Sequence, residues 1–319
     1  MANFVVLGGA GFIGSAFVRE LNKRGVKPIV FDALTYAGRL ENLKDVDHIF
    51  VKGDIRDVNA LDRLLSNGVD VVVNFAAETH VDRSIYSPKD FVETNVLGVL
   101  NVLEASRKYD FKYVHISTDE VYGDEQCADD NAPLKPSSPY SASKASADLF
   151  VKAYVRTYGV KAMIVRPSNN YGPRQFPEKL IPKTIIRTLL DLPVPIYGDG
   201  KQERDWIYVE DTARIIADMI VNSAKWNGEV YNLPGKQTVT NMELVKMIGE
   251  IMGKEVKVKF VEDRPGHDRR YCMEPSIGYE VTPLREGLRR TVEWYLENRW
   301  WWEPLIGDKF FKDDVPWRG

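Results

Sequence analysis

The chain has 319 residues, 44% of them hydrophobic and 28% charged, with a formal net charge of −3 and an isoelectric point near 5.9. That length accommodates a nucleotide-binding domain plus a smaller partner region around a large core, and the acidic balance excludes a general basic field for nucleic acid. No apolar run approaches the roughly 18 residues of a membrane span, and Met1-Ala-Asn enters the first strand without a basic and apolar leader, so the reading is a cytoplasmic protein with no membrane contact.

Asn3-Phe-Val-Val-Leu7 is a short apolar strand signal running straight into Gly8-Gly-Ala-Gly11-Phe12-Ile13-Gly14 and a helical pattern from Phe12 to Lys23. These glycines satisfy both G-x-G-x-x-G and G-x-x-G-x-x-G, which allow a tight turn and the close approach of a pyrophosphate to a helix N-terminus. The next apolar strand, Pro28-Ile-Val-Phe31, ends at Asp32, about 20 residues after the glycines, where a carboxylate can bind the ribose hydroxyls of a dinucleotide. A carboxylate there repels a 2′-phosphate, so NAD is expected over NADP; Arg39 is the nearby cation that argues the other way. Strands at His48–Val51, Val69–Phe75, Tyr113–Ser117 and Met163–Arg166 alternate with helices near Val58–Ser66, Lys89–Tyr109 and Tyr140–Tyr158. This rhythm predicts an α/β fold: parallel βαβ units in a doubly wound, Rossmann-type sheet, with ligands at the carboxyl ends of the strands. Asp54-Ile55, Ala76-Ala77-Glu78-Thr79-His80 and Thr118-Asp119-Glu120 fall at such ends.

Tyr140-Ser-Ala-Ser-Lys144 places a phenol and an ammonium four residues apart, hence on one helix face. A free phenol has a pKa of about 10 and a nearby cation favours phenolate, so Tyr140 is a candidate proton acceptor for hydride transfer. The adjacent carboxylates Asp119 and Glu120 are not needed by simple redox chemistry and imply a second reaction. Two neighbouring carboxylates disfavour double ionisation, which keeps one of them protonated near neutrality.

After Pro167 the pattern loosens, with prolines and glycines through Gly200; a helix resumes at Asp211–Val221, a strand at Glu229–Leu233, and Thr240-Asn-Met-Glu243 reads as a capping box for a helix through Met252. The expected division is a nucleotide-binding domain over 1–168 with a return at about 205–234, and a smaller α/β substrate-binding region from 169–204 and 235–319. Cys127 and Cys272 lie far apart with no C-x-x-C, and the four histidines lack metal-ligand spacing, so neither a disulfide nor a metal is expected. Trp300-Trp-Trp302 points three ways on a helix and is read as packing. His80 and His115, taken alone, read as hydrogen-bonded structure.

Gly8–Gly14, Ala76–Ile85, Ser117–Gly123, Pro139–Lys144, Asn169–Pro182, Arg204-Asp-Trp206 and Asp263-Arg-Pro-Gly-His-Asp-Arg-Arg-Tyr271 together resemble the dTDP-glucose 4,6-dehydratases, a nucleotide-sugar branch of the extended short-chain dehydrogenase/reductase superfamily. The resemblance runs from Phe4 to about Leu305, and Thr118-Asp119-Glu120 is its most discriminating element. It implies an NAD-dependent hydro-lyase whose product, a 4-keto-6-deoxy sugar nucleotide, is an intermediate for rhamnose and other deoxysugars. It further implies that Tyr140 deprotonates the 4-hydroxyl, Glu120 takes the carbon 5 proton, Asp119 protonates the departing 6-hydroxyl, and Thr118 hydrogen-bonds the oxygen on carbon 4. The cofactor residues it implies are Gly8, Gly11, Phe12, Ile13, Gly14, Asp32, Thr35, Asp54, Ile55, Ala76, Ala77, Thr79, Thr94, Tyr140, Lys144 and Asn170. The substrate residues are His80, Asn169, Lys179, Leu180, Pro195, Tyr197, Arg204, Asn241, Arg264 and His267. Arginine suits the diphosphate because its planar fork pairs with two oxygens; Arg269 and Arg270 divide evenly between substrate and solvent. A homodimer through the helices Lys89–Tyr109 and Tyr140–Tyr158 is also implied.

The chain departs from that pattern in two places. The loop between Tyr122 and Pro136 is short, and the helix and Leu-Gly-Trp turn that usually follow Arg-Arg-Tyr are replaced by Met273-Glu-Pro-Ser-Ile-Gly-Tyr279. Thymidine and uridine therefore both stay open as the base. The rival readings are a UDP-sugar 4-epimerase, which has no evident use for Asp119 beside Glu120, a nucleotide-sugar decarboxylase, a UDP-glucose 4,6-dehydratase, and a non-catalytic NAD-binding regulator on the same fold.

Overall fold

The strand β1 (Phe4–Leu7) is buried along its whole length, as expected of a parallel strand covered by helices on both faces. Its side chains alternate: Phe4 and Val6 enter one core with Phe17, Val18 and Ile216, whereas Val5 and Leu7 enter a second with Val102, Leu103 and Val151. The computed structural model describes residues 2–124, 127–222 and 224–318. Following β1 are α1 (Phe12–Lys23), β2 (Ile29–Asp32), β3 (Ile49–Lys52), α2 (Val58–Leu65) and β4 (Val71–Asn74). Two short helices, α3 (Val81–Tyr86) and α4 (Pro88–Val92), lead through a π-helical turn at Glu93–Gly98 into α5 (Val99–Tyr109), then β5 (Lys112–Ile116), α6 (Pro139–Tyr158) and β6 (Ala162–Pro167).

The remaining elements are β7 (Asn169–Tyr171), α7 (Leu180–Leu189), β8 (Val194–Tyr197), β9 (Glu203–Tyr208), α8 (Val209–Asn222) and β10 (Asn227–Leu233). Then come β11 (Thr238–Thr240), α9 (Asn241–Met252), β12 (Val258–Val261) and α10 (Leu284–Glu297), with two short helical turns, α11 (Arg299–Trp302) and α12 (Lys309–Lys312), near the end. The main sheet has seven strands in the order β10-β6-β5-β4-β1-β2-β3, all parallel. This is the Rossmann-type doubly wound architecture read from the sequence. The order reverses between β1 and β4, and the cleft opens at the carboxyl ends there.

The second region is built from separate segments around Tyr171, Ile181, Ile185, Leu244, Leu288, Tyr295 and Trp302. Its sheets are β11-β9-β7 and β12-β8. Helix α8 and strand β10 return to the first region, while β9 pairs with β7 and β11 instead. Thr240 and Glu243 form the reciprocal capping box at the start of α9. Trp301 and Trp302 are buried and Trp300 is half exposed, so two of the three tryptophans are packing, as a run of consecutive helical residues requires.

The cysteines overturn their expectation. Cys127 and Cys272, 145 residues apart, form a disulfide with their Cα atoms 4.4 Å from each other. A parallel bridge pairs Ala128 with Met273, so each cysteine stands one position before a paired residue. Sequence distance hid this adjacency because it arises from two loops, not from a recognisable motif.

Candidate active site

On the cofactor side, α1 begins at Gly11 with no side-chain cap and no acidic residue in its first turn. Its leading N–H groups are left for an anion, which the helix dipole also favours. Gly8 has a φ of +71°, and a Cβ there would strike the backbone of Ala76; only glycine keeps this floor flat. At the end of β2, Asp32 accepts from Ala10 N at 2.9 Å and Leu34 N at 2.8 Å, while burial raises its pKa. An uncapped helix start, a glycine floor and a carboxylate at the end of the neighbouring strand fit a dinucleotide. Arg39 donates to the Trp301 carbonyl at 2.8 Å and pairs with Glu41 at 3.2 Å, so it is committed elsewhere and does not oppose NAD. Gly14, Phe12, Ile13, Thr35, Asp54, Ile55, Ala76, Ala77, Thr79, Thr94 and Asn170 border the same cleft. The π-helical turn brings Thr94 there, held by Asn95, which bonds the Glu78 backbone and the Ser143 hydroxyl at 2.9 Å each.

The reaction centre lies where β5 ends. Thr118 caps a 3-10 turn, Asp119–Tyr122, so Asp119 and Glu120 leave the strand pointing into the cleft that Tyr140 and Lys144 of α6 also line. Thr118 donates to Asp119 at 3.1 Å. Burial, with Glu120 beside it, pushes the Asp119 carboxyl well above the usual range. Glu120 is also raised by burial, with Arg264 and Arg204 acting in the opposite direction. Lys144 donates to the Ile116 carbonyl at 2.6 Å and burial lowers it to about 8. Burial and Glu120 raise the Tyr140 phenol.

On the substrate side, Arg264 donates to the buried Asp82 at 3.1 Å while its Nε is buried without a partner. A fork so oriented and incompletely satisfied suits an anion. Tyr197 donates to the other Asp82 oxygen at 2.8 Å. Lys179 donates to the Thr79 carbonyl at 3.0 Å, and burial lowers its pKa. Arg204 is spent differently: it bonds the carbonyls of Asp268 at 2.9 Å and Glu203 at 2.7 Å and lies over the Tyr271 ring at 4.3 Å. His267 meets Asp263 at 2.5 Å, yet burial, Arg264 and Arg204 lower it to about 4. His80, Asn169, Leu180, Pro195 and Asn241 complete this wall. His80 lies between Asp82 at 3.8 Å and Glu178 at 3.6 Å, and burial keeps it neutral. Arg269 and Arg270 stand outside the cleft, in exposed pairs with Asp199 and Glu203.

Three supports have no counterpart in the sequence reading. Asp148, one turn beyond Lys144 on α6, is fully buried with Arg166 at 2.9 Å and His115 at 3.4 Å. Asp82 carries Arg264 and Tyr197, and Glu178 accepts from Arg83 at 2.8 Å and Tyr36 at 2.9 Å. The only sequence signal was the improbability of a buried carboxylate without a partner, and nothing in one dimension says which carboxylates are buried. Among the described residues no cluster of metal-ligating side chains occurs, and no helix is long and apolar enough to cross a membrane.

Residues 4–233 match the NAD-dependent epimerase/dehydratase family. The chain is 43% identical to a dTDP-glucose 4,6-dehydratase of Xanthomonas campestris pv. campestris, with 97% of each chain aligned. The crystal structure of a dTDP-glucose 4,6-dehydratase from Streptomyces venezuelae with NAD bound superposes with a TM-score of 0.91 at 45% identity, covering 95% of this chain and 99% of the other. A UDP-glucose 4-epimerase from Thermus thermophilus in complex with NAD is more distant, with a TM-score of 0.83 at 33% identity over 93% of this chain and 99% of that one. With an NAD cradle, a Tyr/Lys pair and an Asp–Glu pair in one cleft, the chain belongs to the NAD-dependent epimerase/dehydratase family and, within it, to the dTDP-glucose 4,6-dehydratases.

Proposed function

We propose that this protein converts dTDP-glucose to dTDP-4-keto-6-deoxy-glucose and water. The observation that carries the reading is the unlike setting of two neighbouring carboxylates in the cleft of Tyr140 and Lys144: burial and Glu120 raise Asp119, whereas Arg264 and Arg204 oppose the burial that raises Glu120. An epimerase needs no such pair. Gly11, Gly14, Asp32 and the first turn of α1 hold NAD, which takes up a hydride at carbon 4 and gives it back at carbon 6. Tyr140 accepts the 4-hydroxyl proton, with Lys144 as the neighbouring cation and Thr118 bonded to the same oxygen. The resulting ketone acidifies carbon 5. Glu120 removes that proton, Asp119 delivers its own to the 6-hydroxyl, and water departs; the reverse delivery to carbon 5 completes the product.

Arg264, Lys179 and His267 face the nucleotide diphosphate, with Tyr197 and Asn241 beside it. Helix α6 exposes Leu149 and Phe150, and the π-helical turn that leads into α5 exposes Leu97, an apolar face suited to a twofold contact between two copies. A cytoplasmic location agrees with the absence of an apolar spanning helix among the described residues. The test is incubation with dTDP-glucose and, separately, UDP-glucose without added reductant, read by mass spectrometry. Loss of one water with no net NADH supports the reading and ranks the bases; unchanged mass with a changed sugar configuration sinks it in favour of epimerisation.

A further inference from the structure

The disulfide joins two loops, one on each side of the reaction centre. Beneath it lies a satellite cluster of five buried residues, Val121, Tyr122, Ala128, Ala145 and Met273, separate from the three large cores. On one side of the bond the chain leads back to Glu120; on the other it leads back through Tyr271 to His267 and Arg264. Tyr271, adjacent to Cys272, donates to Asp268 at 2.7 Å and reaches the Glu120 carboxylate at 3.5 Å. Ala128 N donates to the Cys272 carbonyl at 2.9 Å, and Glu274 N donates to the Ala128 carbonyl at 2.9 Å. These are also the two stretches where the chain departs from its family's pattern: a short loop after Tyr122, and an abbreviated segment after Tyr271 in place of a helix.

We propose that Cys127–Cys272 is a thiol-sensitive latch that positions the Arg264–Tyr271 segment against Glu120, and so sets affinity for the nucleotide sugar. The bond is reachable, since Cys127 is exposed and Cys272 half-buried, so a small dithiol or a dithiol protein can attack it. One dithiol is oxidised to its own disulfide while Cys127 and Cys272 each gain a proton and become thiols; two electrons pass and nothing else is consumed. With the latch open, the segment keeps its bonds to β9, where Glu203 N donates to the Arg269 carbonyl at 2.9 Å. The effect is therefore graded, falling on substrate affinity before fold.

The inference rests on the dehydratase reading only for its choice of ligand. Thymidine diphosphate binding is measured by calorimetry on NAD-loaded protein, oxidised and after dithiothreitol, with Cys127→Ser/Cys272→Ser as a second variant. Alkylation and mass spectrometry verify the thiol count. The expected result is about tenfold weaker binding on reduction, the same weak binding in the double variant whatever the reagent, and unaltered NAD retention. Equal affinity in both redox states, or a double variant that still responds to dithiothreitol, overturns the latch. If neither state binds thymidine diphosphate, the ligand assignment fails by itself and amide exchange decides the latch: residues 127–136 and 263–276 must exchange faster on reduction while 4–116 do not, and unchanged exchange overturns it.

Discussion

In the cofactor half, the groups proposed to meet the ligand are backbone N–H groups at the start of α1 and one carboxylate at the end of β2. In the nucleotide-sugar half they are long cationic side chains propped by buried carboxylates, as Arg264 is by Asp82. The first arrangement is set by local backbone geometry and costs little to organise, because the strand–turn–helix unit places the donors wherever it forms. The second gathers residues from α3, α7, β8, β9 and the 263–271 loop, and each buried charge must be compensated by another. The lesson is that a dinucleotide site can be a property of a short segment, whereas a sugar-nucleotide site here is a property of the whole assembly.

The reaction centre at the seam should show the largest losses. Glu120→Gln is expected to lower kcat by about 10²–10⁴ with substrate binding kept, and Tyr140→Phe to stop hydride transfer by a comparable factor. Single-turnover kinetics with deuterium exchange at carbon 5 separates the two, and normal turnover in either variant removes the assignment. Gly14→Val tests the cofactor half: a side chain there strikes the Gly8 carbonyl, so NAD retention should be lost while the substrate-side fold persists. Co-purified NAD, measured by absorbance after denaturation, checks it.

Arg264→Ala tests the other half and should raise KM by roughly ten- to a hundredfold, the worth of about 1.5–3 kcal/mol for a charge-assisted bond, with NAD binding untouched. A pH profile gives a milder effect. Burial lowers Lys144 to about 8, and in the proposed mechanism it acts as the cation, so activity is expected to fall as pH rises through that value. On the acid side Glu120 must be ionised, and its raised pKa moves the lower limb above that of an ordinary glutamate. A rate that keeps rising well beyond pH 8 would remove Lys144 from its role. The smallest effect belongs to Arg269→Ala: its partner is an exposed aspartate outside the cleft, and KM for the nucleotide sugar should not change.

Much of this was legible in one dimension. The glycine run, Asp32, the alternating elements and the Thr118-Asp119-Glu120 and Tyr140/Lys144 pairs depend on spacing within single elements, which sequence records directly. Every residue proposed for the site lines one cleft; the arrangement of charge within it was not foreseeable. Burial raises the Tyr140 phenol, and burial belongs to the assembled fold. Arg39 read as a possible argument for NADP until Trp301, brought from the far end of the chain, was seen to occupy it.

The sequence by itself determined the Rossmann-type sheet, the cofactor class and the chemical types at the reaction centre, since each follows from local periodicity and from residues a few positions apart. Only the tertiary structure decided that Cys127 meets Cys272, that Asp82 and Asp148 are buried counter-charges, and that Asp119 is buried and Glu120 half-buried in the cleft with two arginines acting on Glu120. Those outcomes rest on contacts between distant segments and on the loss of water around charged groups, quantities that exist only once the chain has closed around its core.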